Sequence, residues 1–185
     1  MSQYYKNGFT LIELLIALLV ISVGLLGVAR LAVETQKQSQ QISQRTIALE
    51  LANNLMARVS ANPTALAQYD DPIPANQPKD CTTNACSTSE LAQHDLWQWN
   101  QALQGATITR AENNAVIRIN TGGLVLPTAC RVINNNTVTI TLVWRGKHVM
   151  PNRQNNNCAL NDANYRQSAN NDLRRLLSIA TLIRA

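Results

Sequence analysis

Hydrophobic positions are distributed very unevenly along this chain. An apolar run opens at Phe9, and from Leu14 to Ala29 sixteen successive residues carry no charge. As a helix, residues 9–29 rise about 32 Å, which matches the roughly 30 Å hydrocarbon thickness of a bilayer. From Thr35 to Gln44 the chain is polar with only Ile42 apolar, and then Leu49, Ala52, Leu55, Met56 and Val59 recur three or four apart. That spacing puts one face of a helix against a core. No proline precedes Pro63 and no glycine lies between Gly27 and Gly105, so one helix is expected from about Thr10 to Asn62, about 80 Å long. Its three parts suit an anchor, a solvated stalk and a docked end. Gly24 and Gly27 each weaken it by about 1 kcal/mol relative to alanine, and offer either a bend or close helix packing.

Beyond the helix, Pro63, Pro72, Pro74 and Pro78 stand among polar residues and predict an extended surface loop over 63–80. Ser87-Thr88-Ser89-Glu90 fits a capping box, opening a second helix through Leu91, Leu96, Trp97 and Leu103 to Gly105. After Gly105 the period changes to two. Ala106–Arg110 and Ala115–Asn120 flank the turn-rich Glu112-Asn113-Asn114 and predict a hairpin. Val138, Ile140, Leu142 and Trp144 alternate with Thr137, Thr139, Thr141 and Val143 in the clearest strand. Leu176–Ile183 reads as a last strand, and residues 151–171 between them as irregular and Asn-rich. The expected class is α+β: a long N-terminal helix packed on a C-terminal antiparallel sheet.

At 185 residues the chain allows one modest domain beside an anchor. Lys6 and Gly27-Val28-Ala29 loosely fit a cleaved secretory signal, but the apolar stretch exceeds its usual 7 to 15 residues and Glu13 lies inside it. An unpaired carboxylate in lipid costs roughly 2.5 to 3.5 kcal/mol, so Glu13 needs a function. Cys81, Cys86, Cys130 and Cys158 form an even set and suggest an oxidising compartment. Three pairings are open; the local order favours Cys81 with Cys86 and Cys130 with Cys158. Free buried thiols or the start of a metal site are the alternatives, and His94 and His148 lack ligand spacing.

The net charge of +5 is modest, with only Arg174-Arg175 adjacent, so no phosphate-binding stripe is visible in the order of residues. His94-Asp95 has no nucleophile or orienting group placed beside it, which points away from an enzyme and implies no cofactor. Trp97, Trp99 and Trp144 leave stacking on single-stranded DNA as a reading of another class, set against Trp97 and Trp144 as core residues.

The run Gly8-Phe9-Thr10-Leu11-Ile12-Glu13-Leu14-Leu15-Ile16-Ala17-Leu18-Leu19 resembles the class III signal of type IV pilins and type II secretion pseudopilins. Val23-Gly24-Leu25-Leu26-Gly27, Leu49-Glu50-Leu51-Ala52-Asn53 and Arg58 to Pro63 are similar to the minor pilins of the PilV kind, as is Trp97 to Leu103. Unlike many major pilins, the chain has no proline in the mature helix near Gly24 and Gly27. The resemblance implies cleavage by a prepilin peptidase between Gly8 and Phe9, and methylation of the new Phe9 amine.

On that resemblance residues 1–8 are a leader, 9–29 a membrane and filament-core helix, 30–62 its continuation, and 63–185 a periplasmic head. The expected work is assembly of the pilus, with Glu13 as the subunit-pairing residue. The expected partners are other minor pilins, the major pilin, the peptidase, the inner-membrane assembly platform and, before assembly, the bilayer. Inner membrane and then cell-surface pilus are the expected locations. A type II secretion pseudopilin and a DNA-binding pilin are the alternatives.

Overall fold

The computed structural model describes residues 8, 10–105, 108–112, 115–119, 123–150, 156–166 and 173–184. The chain forms two compact units, Met1–Ile42 and Ser43–Ala185. Helix α1 runs unbroken over Leu11–Ala61, so neither Gly24 nor Gly27 interrupts it. In the first unit its large apolar side chains from Leu11 to Val33 are all exposed. The hydroxyls in and just beyond this stretch bond back to the helix: Ser22 Oγ donates to the Leu18 carbonyl at 2.7 Å and Thr35 Oγ1 to the Leu31 carbonyl at 2.9 Å. Such back-bonding leaves few bare polar groups on a surface suited to lipid.

In the second unit the last turns of α1 bury Ala48, Ala52, Leu55 and Val59, spaced three or four apart. Leu49, expected on this seam, is exposed, and Met56 is half-buried. Two of the four seam residues are alanines, so the helix backbone can approach its neighbours closely. Pro63–Asp70 then forms a 3₁₀ helix, correcting the extended loop expected there. Pro63 supplies the fixed φ of a first helical position instead of breaking the chain, and Ala65 and Tyr69 are buried.

Helix α2 covers Thr88–Leu103, with Ser87 as N-cap and both halves of the capping box formed. Gly105 follows with φ of 69°, the left-handed conformation glycine supplies at a helix end. The apolar seam of α2 is Ala92, Leu96, Trp99 and Leu103; Trp97 is half-buried and Leu91 lies at the surface, so Trp99 is the core tryptophan of this helix.

Strands β1 (Ile108–Glu112) and β2 (Ala115–Ile119) pair antiparallel as a two-stranded sheet, while the turn expected at Asn113-Asn114 lies outside the described residues. Strands β3 (Thr128–Asn134), β4 (Thr137–Arg145) and β5 (Arg174–Leu182) form a second antiparallel sheet in the order β3-β4-β5. Strand β3 was not anticipated. Central β4 is buried on both faces: Val138, Ile140, Leu142 and Trp144 enter the core shared with α1 and α2, and Val143 packs on the other side with Cys158 and Tyr165. Tyr165 belongs to a short 3₁₀ turn, Ala163–Tyr165, and its hydroxyl donates to the Leu126 carbonyl at 2.6 Å.

Disulfides join Cys81 to Cys86 and Cys130 to Cys158, across sequence separations of 5 and 28 residues. Chain-entropy accounting gives about 2 kcal/mol for the short loop and about 3.5 kcal/mol for the long one. Cys130→Ser/Cys158→Ser should therefore lower the urea midpoint clearly more than Cys81→Ser/Cys86→Ser, a comparison one denaturation series decides.

Candidate functional site

The candidate assembly segment begins at Gly8, whose surroundings are open. Phe9 and residues 1–7 lie outside the described residues, so the expected cleavage point is placed on one side only. Thr10 starts α1: the Glu13 amide donates to the Thr10 carbonyl at 3.1 Å and to its Oγ1 at 3.4 Å. Glu13 occupies the first turn and is exposed. A carboxylate there meets the positive end of the helix dipole, worth about 0.3 to 1 kcal/mol at an exposed site. The helix is long and apolar enough to cross a membrane, and none of its most apolar window is buried. The segment thus offers one acid at the entrance of an otherwise apolar, unburied rod.

In the head, a polar cluster holds three elements together. Arg58 Nη1, from α1, donates to Asp95 Oδ1 on α2 at 2.8 Å and to Gln98 Oε1 at 2.7 Å. The Tyr69 hydroxyl, from the 3₁₀ helix, donates to Asp95 Oδ2 at 2.7 Å. Both carboxylate oxygens of the buried Asp95 are therefore satisfied. Burial, and then the bond to Asp95, push the Tyr69 phenol well above its ordinary value. Nearby, Trp99 Nε1 donates to the Leu51 carbonyl at 2.8 Å, fastening α2 to α1, and Asn62 Nδ2, just after α1, donates to the Thr88 carbonyl at 2.7 Å.

The entry to α2 is equally tied. The Glu90 carboxylate accepts from the Ser87 amide at 2.8 Å and from Lys79 Nζ at 3.2 Å, which hold it below the usual carboxylate range. The Cys81–Cys86 bridge precedes this cap directly, and the Cys130–Cys158 bridge ties β3 to the segment behind β4. The cysteines thus have structural roles.

The remaining candidates do not converge. His94 is buried in α2, whereas His148 is exposed after β4. Among the described residues no group of three His, Cys, Asp or Glu is arranged to hold a metal. Trp99 and Trp144 are buried, so they present no stacking platform to a nucleic acid. The Arg58–Asp95–Tyr69 cluster escaped sequence reasoning because its members are 26 and 37 residues apart and follow no motif.

Comparison with known families yields two matches. Residues 4–29 match the prokaryotic N-terminal methylation motif, and residues 31–97 match the type IV pilin Tt1218 family. Together they take in just over half of the chain, from the signal through α1 and the 3₁₀ helix into α2. No curated protein and no solved structure matches it. The methylation motif is that of prepilins, which a peptidase processes and which assemble with other pilins; the type IV pilin domain is a structural module. By these matches, together with the long apolar helix, the docked α1 end and the antiparallel sheet, the chain belongs to the type IV pilins.

Proposed function

We propose that this pilin is a minor subunit of the PilV kind that helps prime assembly of a type IV pilus and is incorporated near its tip. Residues 9–29 hold it in the inner membrane with the head in the periplasm, until it is drawn into the filament. The observation that carries its role as an assembling subunit is Glu13, one acid in the first turn of an unburied apolar helix, five residues into the chain that cleavage after Gly8 would leave. Cleavage frees the Phe9 amine, which is positive. Glu13 of one subunit then neutralises the Phe9 amine of its neighbour when the apolar helices stack, and only one axial stagger satisfies both charges. A costly acid becomes a register device.

The chain's work in this reading is packing, with methylation of Phe9 as its one modification. The signal is shared with type II secretion pseudopilins; the PilV-like runs through Asn62-Pro63 and the two-disulfide head favour the pilus. Co-expression with a prepilin peptidase tests the reading. Intact mass should show loss of residues 1–8 and gain of one methyl group, and the chain should be present in sheared pili at far below the amount of the major subunit. An uncut chain beside a cut control prepilin would refute it.

A further inference from the structure

The larger sheet has two edges, and they differ in protection. Strand β3 has the 3₁₀ helix against it, and Arg131 Nη2 reaches the carbonyl of Asp71, just past that helix, at 2.7 Å. That edge is screened and carries a charge within it. Strand β5 pairs with β4 alone among the described residues. Its stretch from Leu176 to Ile183 contains no charge, proline or glycine, and its register with β4 runs from Arg174 to Leu182 without a bulge. Proteins ordinarily blunt an exposed edge with a charge, a proline or a bulge, or cover it. Among the described residues this stretch of β5 shows none of these.

The register states which backbone groups are unused. In an antiparallel ladder the N–H and C=O of one residue point to the same side, and successive residues alternate. The Gly146 amide donates to the Leu173 carbonyl and the Ile183 amide to the Asn136 carbonyl, both at 2.7 Å, so Leu173 and Ile183 face β4. Arg175, Leu177, Ile179 and Thr181 lie in step with them, opposite Trp144, Leu142, Ile140 and Val138. Leu176, Ser178, Ala180 and Leu182 therefore direct both backbone groups outward, where they have no backbone partner among the described residues. Arg174 belongs to the same set, but its carbonyl accepts from Arg175 Nη1 at 3.2 Å. The open row thus starts at Leu176.

Side chains around that row add selectivity. On the helical side Leu177 and Ile179 pack on the core yet stay half-buried, so an added strand with apolar side chains on that face extends the core. On the other side Ser178, Ala180 and Leu182 are exposed. Residues 173–184 hold three arginines and no acid, and Arg184 is exposed just past the strand. A second β5 laid along this one, in either direction, brings arginine against arginine, which is unfavourable. A strand carrying an acid there fits instead.

We infer that the outer edge of β5 is a strand-addition site for an extended segment of a different protein, apolar at alternate residues and carrying an acid where it passes Arg184. Main-chain bonds to Leu176, Ser178, Ala180 and Leu182 supply affinity, while Leu177, Ile179 and Arg184 select the sequence. Only extended backbone matches donors and acceptors that recur at every second residue. The site does not depend on the chain's place in a filament.

The test uses the full chain in detergent micelles and a synthetic peptide of the length of β5, with valine alternating with threonine and an aspartate at each end. N-methylation of every second amide leaves the peptide one bonding edge, so it caps β5 and cannot polymerise. Residue-resolved hydrogen exchange reads the result. Without peptide, the amides of Leu176, Ser178, Ala180 and Leu182 should exchange faster than those of Leu177, Ile179 and Thr181. With peptide at about ten times its dissociation constant the first set should slow about tenfold, because exchange then proceeds from the unbound fraction. A peptide methylated at every amide should slow nothing. Ala180→Pro removes an outward N–H and no bond to β4, and should abolish the protection. Arg184→Glu, beyond the strand, should shift the preference to a peptide ended by lysine, and circular dichroism checks that each variant is folded.

No slowing at about 1 mM peptide overturns the inference. Equal slowing by the fully methylated peptide does so too, since the contact is then not a ladder. Slow exchange of the outward set without peptide also overturns it: where it depends on protein concentration the edge belongs to a second copy, and where it does not the chain covers the edge itself.

Discussion

Asp95→Ala should destabilise the head by about 3 kcal/mol, because breaking a buried ion pair from one side leaves the other charge without its partner. The usual range is about 3 to 5 kcal/mol, and the lower end applies here since Arg58 keeps 26% of its side chain in solvent. The Tyr69 hydroxyl adds to the loss, as it donates to Asp95 Oδ2 from a buried position. Urea denaturation of the full chain in detergent, followed by tryptophan fluorescence, reads the change through Trp99. Replacing both partners with apolar residues, as in Arg58→Met/Asp95→Leu, should recover much of the loss, since a filled apolar site needs no ion pair. A single variant as stable as the wild type would show that this cluster adds nothing to the other contacts that hold the three elements.

Glu13→Ala should reduce incorporation into pili by on the order of a hundredfold, because the Phe9 amine of the neighbour would then enter the helical core unpaired. The same roughly 2.5 to 3.5 kcal/mol that makes the acid costly alone sets the size of this effect, at about 1.36 kcal/mol per tenfold. Cleavage should proceed, as the bond after Gly8 lies outside the pairing. The ratio of mutant in sheared filaments to mutant in membranes measures it. Glu13→Asp keeps the charge but shortens the reach, and an intermediate loss would show that the stagger matters as well as the sign. Wild-type incorporation of the alanine variant would end the pairing idea.

Most elements were legible because each rests on a local rule. Helix α1 was bounded by the absence of proline before Pro63, the capping box at Ser87 and Glu90 announced α2, and alternation exposed β4. One difference has a plain physical source, which is that a small side chain can be the buried one. On α1 the alanine at 48 carries the seam and not the leucine at 49, and on α2 the alanine at 92 is likewise buried. Close-packed helices favour small residues at their contacts, and small residues are weak signals of hydrophobicity. Strand β3 was hidden for another reason. Ala129 and Ile133 pack on the helical core and Cys130 on the opposite cluster, with Arg131 among them, so no alternation survives. The 3₁₀ helix was masked by Pro63, although Ala65 and Tyr69, four apart, carried the helical signal.

The candidate assembly segment could be read from the sequence because its chemistry is contiguous, from Gly8 to Glu13. What could not be read is everything made by register. The Arg58–Asp95–Tyr69 cluster, and the placing of Arg145 opposite Arg174 across β4 and β5, depend on which residue meets which across long intervals.

The order of strands also dictates an order of events. The helical layer draws on contacts within residues 43–105, which can form as soon as that part of the chain is available. The larger sheet is different, because β4 must wait for β5, and 28 residues separate Arg145 from Arg174. Until the last strand arrives, β4 presents an open edge lined by core side chains, a surface that invites pairing with the wrong chain. Once formed, the Cys130–Cys158 bond shortens the stretch that must still be searched, because it ties Cys158 back to β3. Where the thiols are oxidised early, that bond shortens the time for which the open edge is a hazard to neighbouring chains.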